Sequence, residues 1–257
     1  HLYAGMKPIL WAFGVDTTDF EMHVKTRGLR PRGGGVVTFN CPNVRELRAA
    51  NFCEVGFVKK IRGTAFSCKV SPQMANRIVS AARALFLKLL PDVRIGSDAR
   101  KGAESGLSPG LGVTLVATTT AGCVKAVQVT GVKGSLPEDV GRAASELLCE
   151  EIAHGGVVDS TLQSLLPVLM VTSPEDVSRV KVGRLTPATI ASLRNIREFF
   201  GVTFKVPLAD KTVDLGYILH RGDAKDPGAD QFLNFSEGGF EVWQLEAADP
   251  AEPYILP

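Results

Sequence analysis

The feature that most constrains this sequence is a glycine-rich loop between two strand-like segments. It reads Arg27-Gly28-Leu29-Arg30-Pro31-Arg32-Gly33-Gly34-Gly35 and leads into Val36-Val37-Thr38-Phe39. The three consecutive glycines lack Cβ atoms and allow another group to approach the backbone closely. Arg27, Arg30 and Arg32, together with the N–H groups of the loop, supply a lining suited to an anion. The loop therefore predicts a phosphate site, and its alternative interpretation is a purely structural corner between strands.

The charge distribution points to the same half of the chain. The net charge is only +2, but residues 209–257 carry 3 basic and 10 acidic side chains, whereas residues 1–105 carry 17 basic and 8 acidic ones. An anionic partner is therefore expected on the first half, bound in a salt-dependent way. Beyond the loop, the candidate RNA-phosphate or partner contacts are Lys59, Lys60 and Arg62, and then Arg94, Arg100 and Lys101. The alternative is a solvated basic face without a ligand. No aromatic residues interleave with these charges, so base-specific recognition is not predicted.

Several function classes lack support in the sequence. The five cysteines form no C-x-x-C pair and the four histidines are scattered, so no metal site and no cofactor are predicted, and the thiols are expected to be reduced. No apolar stretch reaches 18 residues, so no membrane partner is expected.

The first half alternates strands and helices. Strands at 22–26 and 35–40 flank the glycine-rich loop. A small α/β unit follows, in which Ser71 caps a helix and Pro91 ends it. Its predicted elements are a strand at 58–70, a helix at 72–90, a strand at 93–95, a loop at 96–112 and strands at 113–119 and 123–129.

The second half begins at a composition shift over residues 131–134. Ser135 and Glu138 form a capping box for a helix that ends at Gly155 and Gly156. The remaining predicted elements are a helix at 159–171, a strand at 177–182, a helix at 187–200 ended by Gly201, and a strand at 202–206. In the acidic tail, alternation at Phe240 and Val242 predicts one more strand.

Six sequence blocks together resemble the RNA 3′-terminal phosphate cyclase family. Besides the Arg-Gly-x-x-Pro-x-Gly-Gly-Gly loop, they are Lys59 to Ala65, Ser71 to Arg77, Leu136 to Arg142, Gly155 to Ser164 and Leu185 to Ile190. The resemblance runs from about Ile9 to about Val206 and is strongest to the cyclase-like branch of the family.

This resemblance implies an α/β (α+β) fold, with a large domain of repeated βαβαββ-type units and an inserted small α/β domain. The corresponding division is residues 1–41 as the end of a large-domain repeat, 42–134 as the inserted domain, 135–207 as the last repeat and 208–257 as an acidic, partly flexible tail. His1 is not an initiator methionine and the chain opens within a helix pattern, so an N-terminal part is expected to be missing.

The resemblance also directs attention to one position at the start of the last helix. Active cyclases of the family form an adenylate on a histidine at that place, where Thr186-Pro187 is here followed by Ala188. A methyl group cannot act as a nucleophile. Their nucleotide pocket uses a Tyr-x-x-Asp-Gln pattern, which corresponds here to residues 159–163, and only Gln163 is kept. Gln163 and Ala188 are thus expected to be the remnant of a cyclase pocket, without catalytic residues.

A second candidate site lies further along the same helix. The cyclase-like branch carries an Arg-Asp-x-Lys group proposed to cut precursor RNA, and the matching residues here are Arg194, Asn195, Ile196 and Arg197. Asparagine cannot serve as a general base, and arginine is too basic to be a general acid at neutral pH. Arg194 and Arg197 can still bind phosphate or a carboxylate, or they can be ordinary exposed helix charges.

The resemblance implies a non-catalytic ribosome-biogenesis factor, a pseudoenzyme acting in the small-subunit processome. Its expected partners are a ribosome-assembly GTPase and the small-subunit pre-ribosomal particle with its pre-rRNA, and its expected location is the nucleolus. The alternatives are an endonuclease that cleaves pre-rRNA and, ranked below it, an active RNA 3′-phosphate cyclase.

Overall fold

The computed structural model describes residues 2–174 and 177–206, and the backbone of residues 213–218. In chain order its elements are α1 (Leu2–Ala12), β1 (Glu21–Thr26), β2 (Val36–Asn40), β3 (Asn51–Phe52), β4 (Val58–Cys68), α2 (Pro72–Phe86), β5 (Val93–Arg100), a short 3₁₀ helix (Gly102–Ser105), β6 (Gly110–Thr119), β7 (Val124–Thr130), α3 (Pro137–Ala153), α4 (Leu165–Val171), β8 (Arg179–Val182), α5 (Pro187–Phe200), β9 (Thr203–Lys205) and β10 (Val213–Ile218).

These elements form two compact units. The first unit comprises residues 2–11, 16–43 and 55–153, and the second comprises residues 12–15, 44–54 and the described residues from 154 onward. The mixed α/β class expected from the sequence is confirmed.

The first unit contains a hairpin and a four-stranded sheet. Strands β1 and β2 pair antiparallel on either side of the glycine-rich loop. The larger sheet has the order β5-β4-β6-β7, with β4 parallel to β5 and antiparallel to β6. The loop predicted at 96–112 is shorter than expected, because Gly96 to Arg100 extend β5 by pairing in register with Thr64 to Cys68 of β4, and residues 110–112 already belong to β6.

Helices α2 and α3 complete the core of this sheet. Their buried residues Ile78, Val140, Ala144 and Leu148 join the same apolar cluster as Leu115 of β6. The boundary predicted at residue 134 would separate α3 from this cluster. The structure instead extends the small α/β unit to Ala153, because α3 buries its apolar face against the same sheet as α2.

The second unit is built around a sheet of order β3-β8-β10-β9. Strand β3 pairs parallel to β8, and β10 pairs antiparallel to both β8 and β9. Helix α5 begins at Pro187 and ends before Gly201, as predicted, whereas the predicted helix at 159–171 begins only at Leu165 and follows a series of turns. The strand predicted near residue 242 lies outside the described residues, as does His220.

Within the described part of the chain, no helix has both the length and the apolar character needed to span a bilayer. None of the five cysteines, all of which the structure describes, forms a disulfide. The described residues contain no cluster of three or more His, Cys, Asp or Glu side chains that could hold a metal ion.

Candidate functional site

The glycine-rich loop is folded against the segment that follows β5. The Arg27 backbone N–H donates to the Glu104 carbonyl at 3.0 Å, and the Leu107 N–H donates to the Gly33 carbonyl at 3.1 Å. The Arg32 N–H donates to the Ser108 hydroxyl at 2.9 Å. Part of the loop's backbone donor capacity, which the sequence assigned to an anion, is therefore used inside the protein.

Gly106 makes this packing possible. Its φ is +61°, and a Cβ at this position would collide with the carbonyl oxygen of Arg27 and lie 2.8 Å from that of Gly33. Gly34, at φ +76°, is enclosed in a similar way, since a Cβ there would lie 2.8 Å from Cγ of Leu107. Glycine is thus required on both sides of the contact, by close approach as well as by backbone conformation.

The Arg27 side chain is committed to a carboxylate. Its Nε and Nη2 both lie 3.0 Å from Oδ2 of Asp98, and its guanidinium carbon lies 4.5 Å from the centroid of the Phe66 ring. Asp98 also accepts a hydrogen bond from Nε of Arg100 at 2.9 Å. Burial alone would raise the pKa of Asp98, but the hydrogen bonds from Arg100 and Arg27 hold this pKa below its ordinary value. Arg27 therefore anchors the loop.

Arg30 and Arg32 are placed differently from Arg27. Both side chains are exposed, and neither forms an ion pair with a residue that the structure describes. The three arginines are thus not brought together around one empty site. The candidate anion ligands of the loop reduce to Arg30 and Arg32, beside Gly33, Gly34 and Gly35.

The predicted Lys59, Lys60 and Arg62 cluster lies at the start of β4. Nη2 of Arg62 is 2.8 Å from Oδ2 of Asp92, and Nε of Arg94, on the neighbouring strand, is 3.6 Å from Oδ1 of the same carboxylate. The hydrogen bond from Arg62 lowers the pKa of Asp92, with a smaller contribution from the charge of Arg94. The three cations Lys60, Arg62 and Arg94 therefore surround one ionised carboxylate and leave this end of the sheet positively charged.

Ala188 occupies the exposed first turn of α5. Thr186 caps the helix by accepting a hydrogen bond from the Thr189 N–H at 3.1 Å, and Pro187 begins the first turn. The side chain of Ala188 is exposed, and none of the 14 residues of α5 is a histidine. The geometry of a helix start is kept at this position, but the residue has no group that could attack a phosphate.

Gln163 has a structural role in the second unit. Its side chain is only 2% exposed and its amide makes four hydrogen bonds. Nε2 donates to the carbonyls of Gly183 (3.3 Å) and Arg184 (3.1 Å), and Oε1 accepts from the Thr186 N–H (2.8 Å) and the Thr189 hydroxyl (2.8 Å). A glutamine amide offers two donors and two acceptor positions, so its capacity is filled. Gln163 therefore fixes the start of α5 instead of offering its amide to a ligand.

The other two positions that the pocket pattern specifies, Asp159 and Leu162, also face inward. The Asp159 carboxylate is 1% exposed and its Oδ1 accepts a hydrogen bond from the Leu162 N–H at 3.0 Å. Leu162 is buried as well. A leucine cannot replace a carboxylate, and the Asp159 carboxylate caps the turn before α4.

Arg194 and Arg197 are exposed on α5. On the same helix, Asn195 and Ala188 line a groove of about 660 Å³ between α4 and α5, together with the exposed rings of Phe199 and Phe200. Neither this groove nor the partner of Arg27 was predicted from the sequence. The adjacent phenylalanines before the helix-ending Gly201 were a signal for the groove, whereas Asp98 gave no signal.

Comparison with known proteins finds similarity to RNA 3'-terminal phosphate cyclases and cyclase-like proteins. Residues 53–153 match the family described as RNA 3'-terminal phosphate cyclase (RTC), insert domain. The chain is 45% identical over 227 residues to the RNA 3'-terminal phosphate cyclase-like protein of Mus musculus. The aligned region covers 86% of this chain and 60% of the relative. The probable RNA 3'-terminal phosphate cyclase-like protein of Dictyostelium discoideum is 44% identical over 214 residues. This alignment covers 77% of this chain and 57% of the relative.

A further relative carries a functional name. The rRNA processing protein rcl1 of Schizosaccharomyces pombe is 40% identical over 190 residues, covering 73% of this chain and 52% of the relative. The chain thus spans no more than about 60% of the length of these relatives. Residues 185–251 also match a bacterial pullanase-associated domain, and most of that match lies outside the described residues.

Proposed function

We propose that this chain, which belongs with the eukaryotic RNA 3'-terminal phosphate cyclase-like proteins, acts without catalysis in the processing of small-subunit pre-rRNA. The observation that carries the proposal is Ala188 at the start of α5, where an active cyclase needs a nucleophile. The four hydrogen bonds of Gln163 support it, because they leave the amide no capacity for a nucleotide. A fold that keeps its charged surfaces without its reactive group suits a binding role.

The finer parts of the proposal follow from the family resemblance. We infer a place in the small-subunit processome, a ribosome-assembly GTPase as partner and the nucleolus as the compartment. The name of the Schizosaccharomyces pombe relative supports the rRNA-processing part. A pull-down of the tagged 257-residue chain from nuclear extract, followed by RNA sequencing and mass spectrometry, tests the association with the particle and the GTPase. Enrichment of small-subunit pre-rRNA and a GTPase is the expected result. If neither is enriched, the proposal is contradicted.

Endonucleolytic cleavage of pre-rRNA is the second candidate, and it rests on the exposed Arg194 and Arg197 of α5. Both can contact phosphate. Asn195 between them offers an amide, which cannot take a proton from the attacking hydroxyl at neutral pH. The same surface therefore suits binding better than cleavage, and incubation of the chain with a pre-rRNA fragment should yield no defined product.

The absence of a nucleophile predicts that the protein forms no adenylate. After incubation with ATP labelled on the α-phosphate, no label should stay on the denatured protein, and an RNA 3′-phosphate should not be converted to the cyclic form. The Ala188→His variant should also stay unlabelled, because Leu162 and the turn-capping Asp159 still replace the pocket residues. An active cyclase in the same assay is the positive control. A protein-bound AMP on the parent chain would overturn the pseudoenzyme proposal.

The separate placement of the loop arginines predicts that only two of them serve an anion. The Arg30→Ala/Arg32→Ala variant should fold like the parent, because both side chains are exposed. It should bind RNA or the precursor particle more weakly, with a salt dependence that falls by up to about one unit of log–log slope for each phosphate interaction that the variant removes. Titrations at two salt concentrations measure both effects.

The matched control for this variant is Arg83→Ala/Lys88→Ala, which removes two exposed charges at and beyond the end of α2. Because it removes the same charge from a different surface, it should leave the affinity for RNA and the slope of the salt dependence close to those of the parent. Equal behaviour of the two variants would show that the loop is only a structural corner.

A further inference from the structure

We propose that the exposed face of the four-stranded sheet in the first unit binds single-stranded RNA. Lys60, Arg62 and Arg94 contact the phosphates, and Phe57 stacks on a base. The inference rests on the proposed role in rRNA processing, and it adds the surface and the form of RNA that this surface takes. We call this surface the sheet platform, defined by Phe57, Lys60, Arg62, Thr64, Arg94 and Thr114.

The platform exists because both helices pack on the other face of the sheet. Along β4, Ile61 and Ala65 belong to the core cluster that α2 and α3 share. Successive side chains of a strand point to opposite faces, so Lys60, Arg62 and Thr64 lie on the face opposite these helices. Among the described residues, the sheet of the first unit therefore has helices packed on one face only.

Strand register brings polar and basic residues together on that face. Arg62 pairs with Arg94 of β5, and Thr64 pairs with Gly96 of β5 and Thr114 of β6. A Cβ at Gly96 would meet no atom within 4 Å, which shows how open the surface is there. The far end of the same face is occupied, since Arg27 lies over Phe66. The open part of the platform thus lies toward the start of β4 and β5.

The charge of this open part favours a polyanion. Asp92 is the carboxylate that these cations approach, and its charge is already balanced by Arg62 at 2.8 Å. The Arg94 side chain is 80% exposed, and its closest approach to Asp92 is a loose 3.6 Å. Lys60 is half-buried and lies on the same side of β4 as Arg62. Positive charge therefore exceeds negative charge where the sheet is accessible, as phosphate binding requires.

Phe57 supplies a surface for stacking. Its side chain is 85% exposed although it is a large apolar group. Its backbone is held on both sides, because its N–H donates to the Thr120 hydroxyl at 3.1 Å and its carbonyl accepts from the Thr120 N–H at 2.8 Å. Val58 packs against the core on the helix side, so the preceding Phe57 is placed toward the open face, three positions before Lys60 in the chain. An exposed ring on a fixed backbone close in the chain to cations can stack on single-stranded bases, and such stacking tolerates any base. This agrees with the absence of a base-reading motif in the sequence.

The combination favours RNA over a protein partner. The face carries Thr64 and Thr114 beside its cations, and its apolar side chains in register with Arg62 are only the small Val116 and Ala126, whereas a stable protein interface needs a larger apolar core. A double-stranded RNA exposes only the edges of its bases in the grooves, because the base faces are stacked inside the helix, so Phe57 would have no base to stack on. A single strand offers phosphates and free base faces together.

The test measures binding of a fluorescein-labelled 12-nucleotide uridine oligomer to the 257-residue chain by fluorescence anisotropy at several salt concentrations. Lys60→Ala/Arg94→Ala should weaken binding at least tenfold at low salt and lower the salt slope by roughly 0.7 for each phosphate interaction removed. Phe57→Ala should weaken binding about tenfold and leave the salt slope unchanged. The separate responses of affinity and slope distinguish the two types of interaction.

Two variants on the helix side serve as matched controls. Arg83→Ala/Lys88→Ala removes the same charge, and Leu89→Ala removes a side chain that is 65% exposed. Both should bind like the parent. The platform is disproved if the control pair loses as much affinity as Lys60→Ala/Arg94→Ala, if Phe57→Ala binds like the parent, or if a 12-base-pair RNA duplex binds more tightly than the single strand. Circular dichroism of every variant establishes that the fold is kept.

This outcome is separable from that of the proposed function. If the oligomer binds through the platform but the chain recovers no pre-rRNA from nuclear extract, the platform stands and the role in rRNA processing fails. If the chain recovers pre-rRNA and both platform variants recover it equally, the role stands and the platform fails, and protein contacts then carry the association.

Discussion

The Gln163→Met variant should lose about 3 to 5 kcal/mol of stability in the second unit. Methionine is similar in size but makes no amide hydrogen bonds, so the carbonyls of Gly183 and Arg184 and the N–H of Thr186 all lose their partner. A buried group left unpaired costs roughly 1 to 3 kcal/mol, which applies in full to the Gly183 carbonyl and in part to the half-buried hydrogen bonds of Arg184 and Thr186. The Thr189 hydroxyl is affected less, because it also lies 2.8 Å from the Thr186 hydroxyl.

Urea unfolding and amide hydrogen exchange measure this effect. The exchange rates of Thr186 and Thr189 should rise most, since these residues form the start of α5. Gln73→Met is the matched control, because Gln73 is exposed on α2 and its substitution should change stability by less than about 0.5 kcal/mol. A Gln163→Met variant as stable as this control would return Gln163 to the set of ligand-binding candidates.

Gln163→Glu adds a pH-dependent arm to the same experiment. The glutamate oxygens can still accept from Thr186 and Thr189, but an ionised carboxylate faces the Gly183 and Arg184 carbonyls without a proton to donate. Burial and these carbonyls favour the neutral acid, so the pKa of the new carboxyl should be higher in the folded state than in the unfolded one. The variant should therefore be most stable at low pH and lose stability as pH rises through the folded-state pKa. The parent chain has no titrating group at this position.

Local signals made α5 fully predictable from the sequence. Thr186 caps it, Pro187 starts it and Gly201, at φ +66°, ends it, and the structure has the helix at Pro187–Phe200. These are contacts between residues at most four positions apart, which a sequence displays directly. The interpretation of Ala188 needed only this local frame and the family resemblance.

Features that depend on distant residues were not predictable. The predicted start of α3 lies close to the observed one, but the capping box does not form, because the Ser135 hydroxyl accepts from the Val132 N–H and the Glu138 carboxylate pairs with Arg77. Only tertiary packing assigns α3 to the sheet that α2 also covers. In the same way, Asp98 lies 71 positions from Arg27, and no spacing rule joins them. The anion-site prediction therefore treated three arginines alike, whereas folding commits one of them to a carboxylate. Gln163 shows the converse, because a residue kept from a ligand pocket pattern serves a structural purpose here.

The packing of the glycine-rich loop on the segment after β5 leads to the second large prediction. Gly106→Ala should destabilise the first unit by about 3 kcal/mol. The added Cβ would collide with the Arg27 carbonyl, and alanine also disfavours the φ of +61° that this position adopts. Relief requires the two segments to move apart, which breaks the hydrogen bonds from Arg27 to Glu104 and from Leu107 to Gly33.

The Gly102→Ala variant separates the cost of the positive φ from the cost of the Cβ collision. Gly102 has nearly the same φ, +60°, but a Cβ there meets no atom within 4 Å. Its substitution should cost only the backbone term, about 1 kcal/mol. The difference between the two variants in urea unfolding therefore measures the close approach of the segments alone. If both variants lose the same stability, the loop does not depend on its packing against Gly106. The side-chain contacts of Arg27 with Asp98 and Phe66 would then hold the loop without the packing against Gly106.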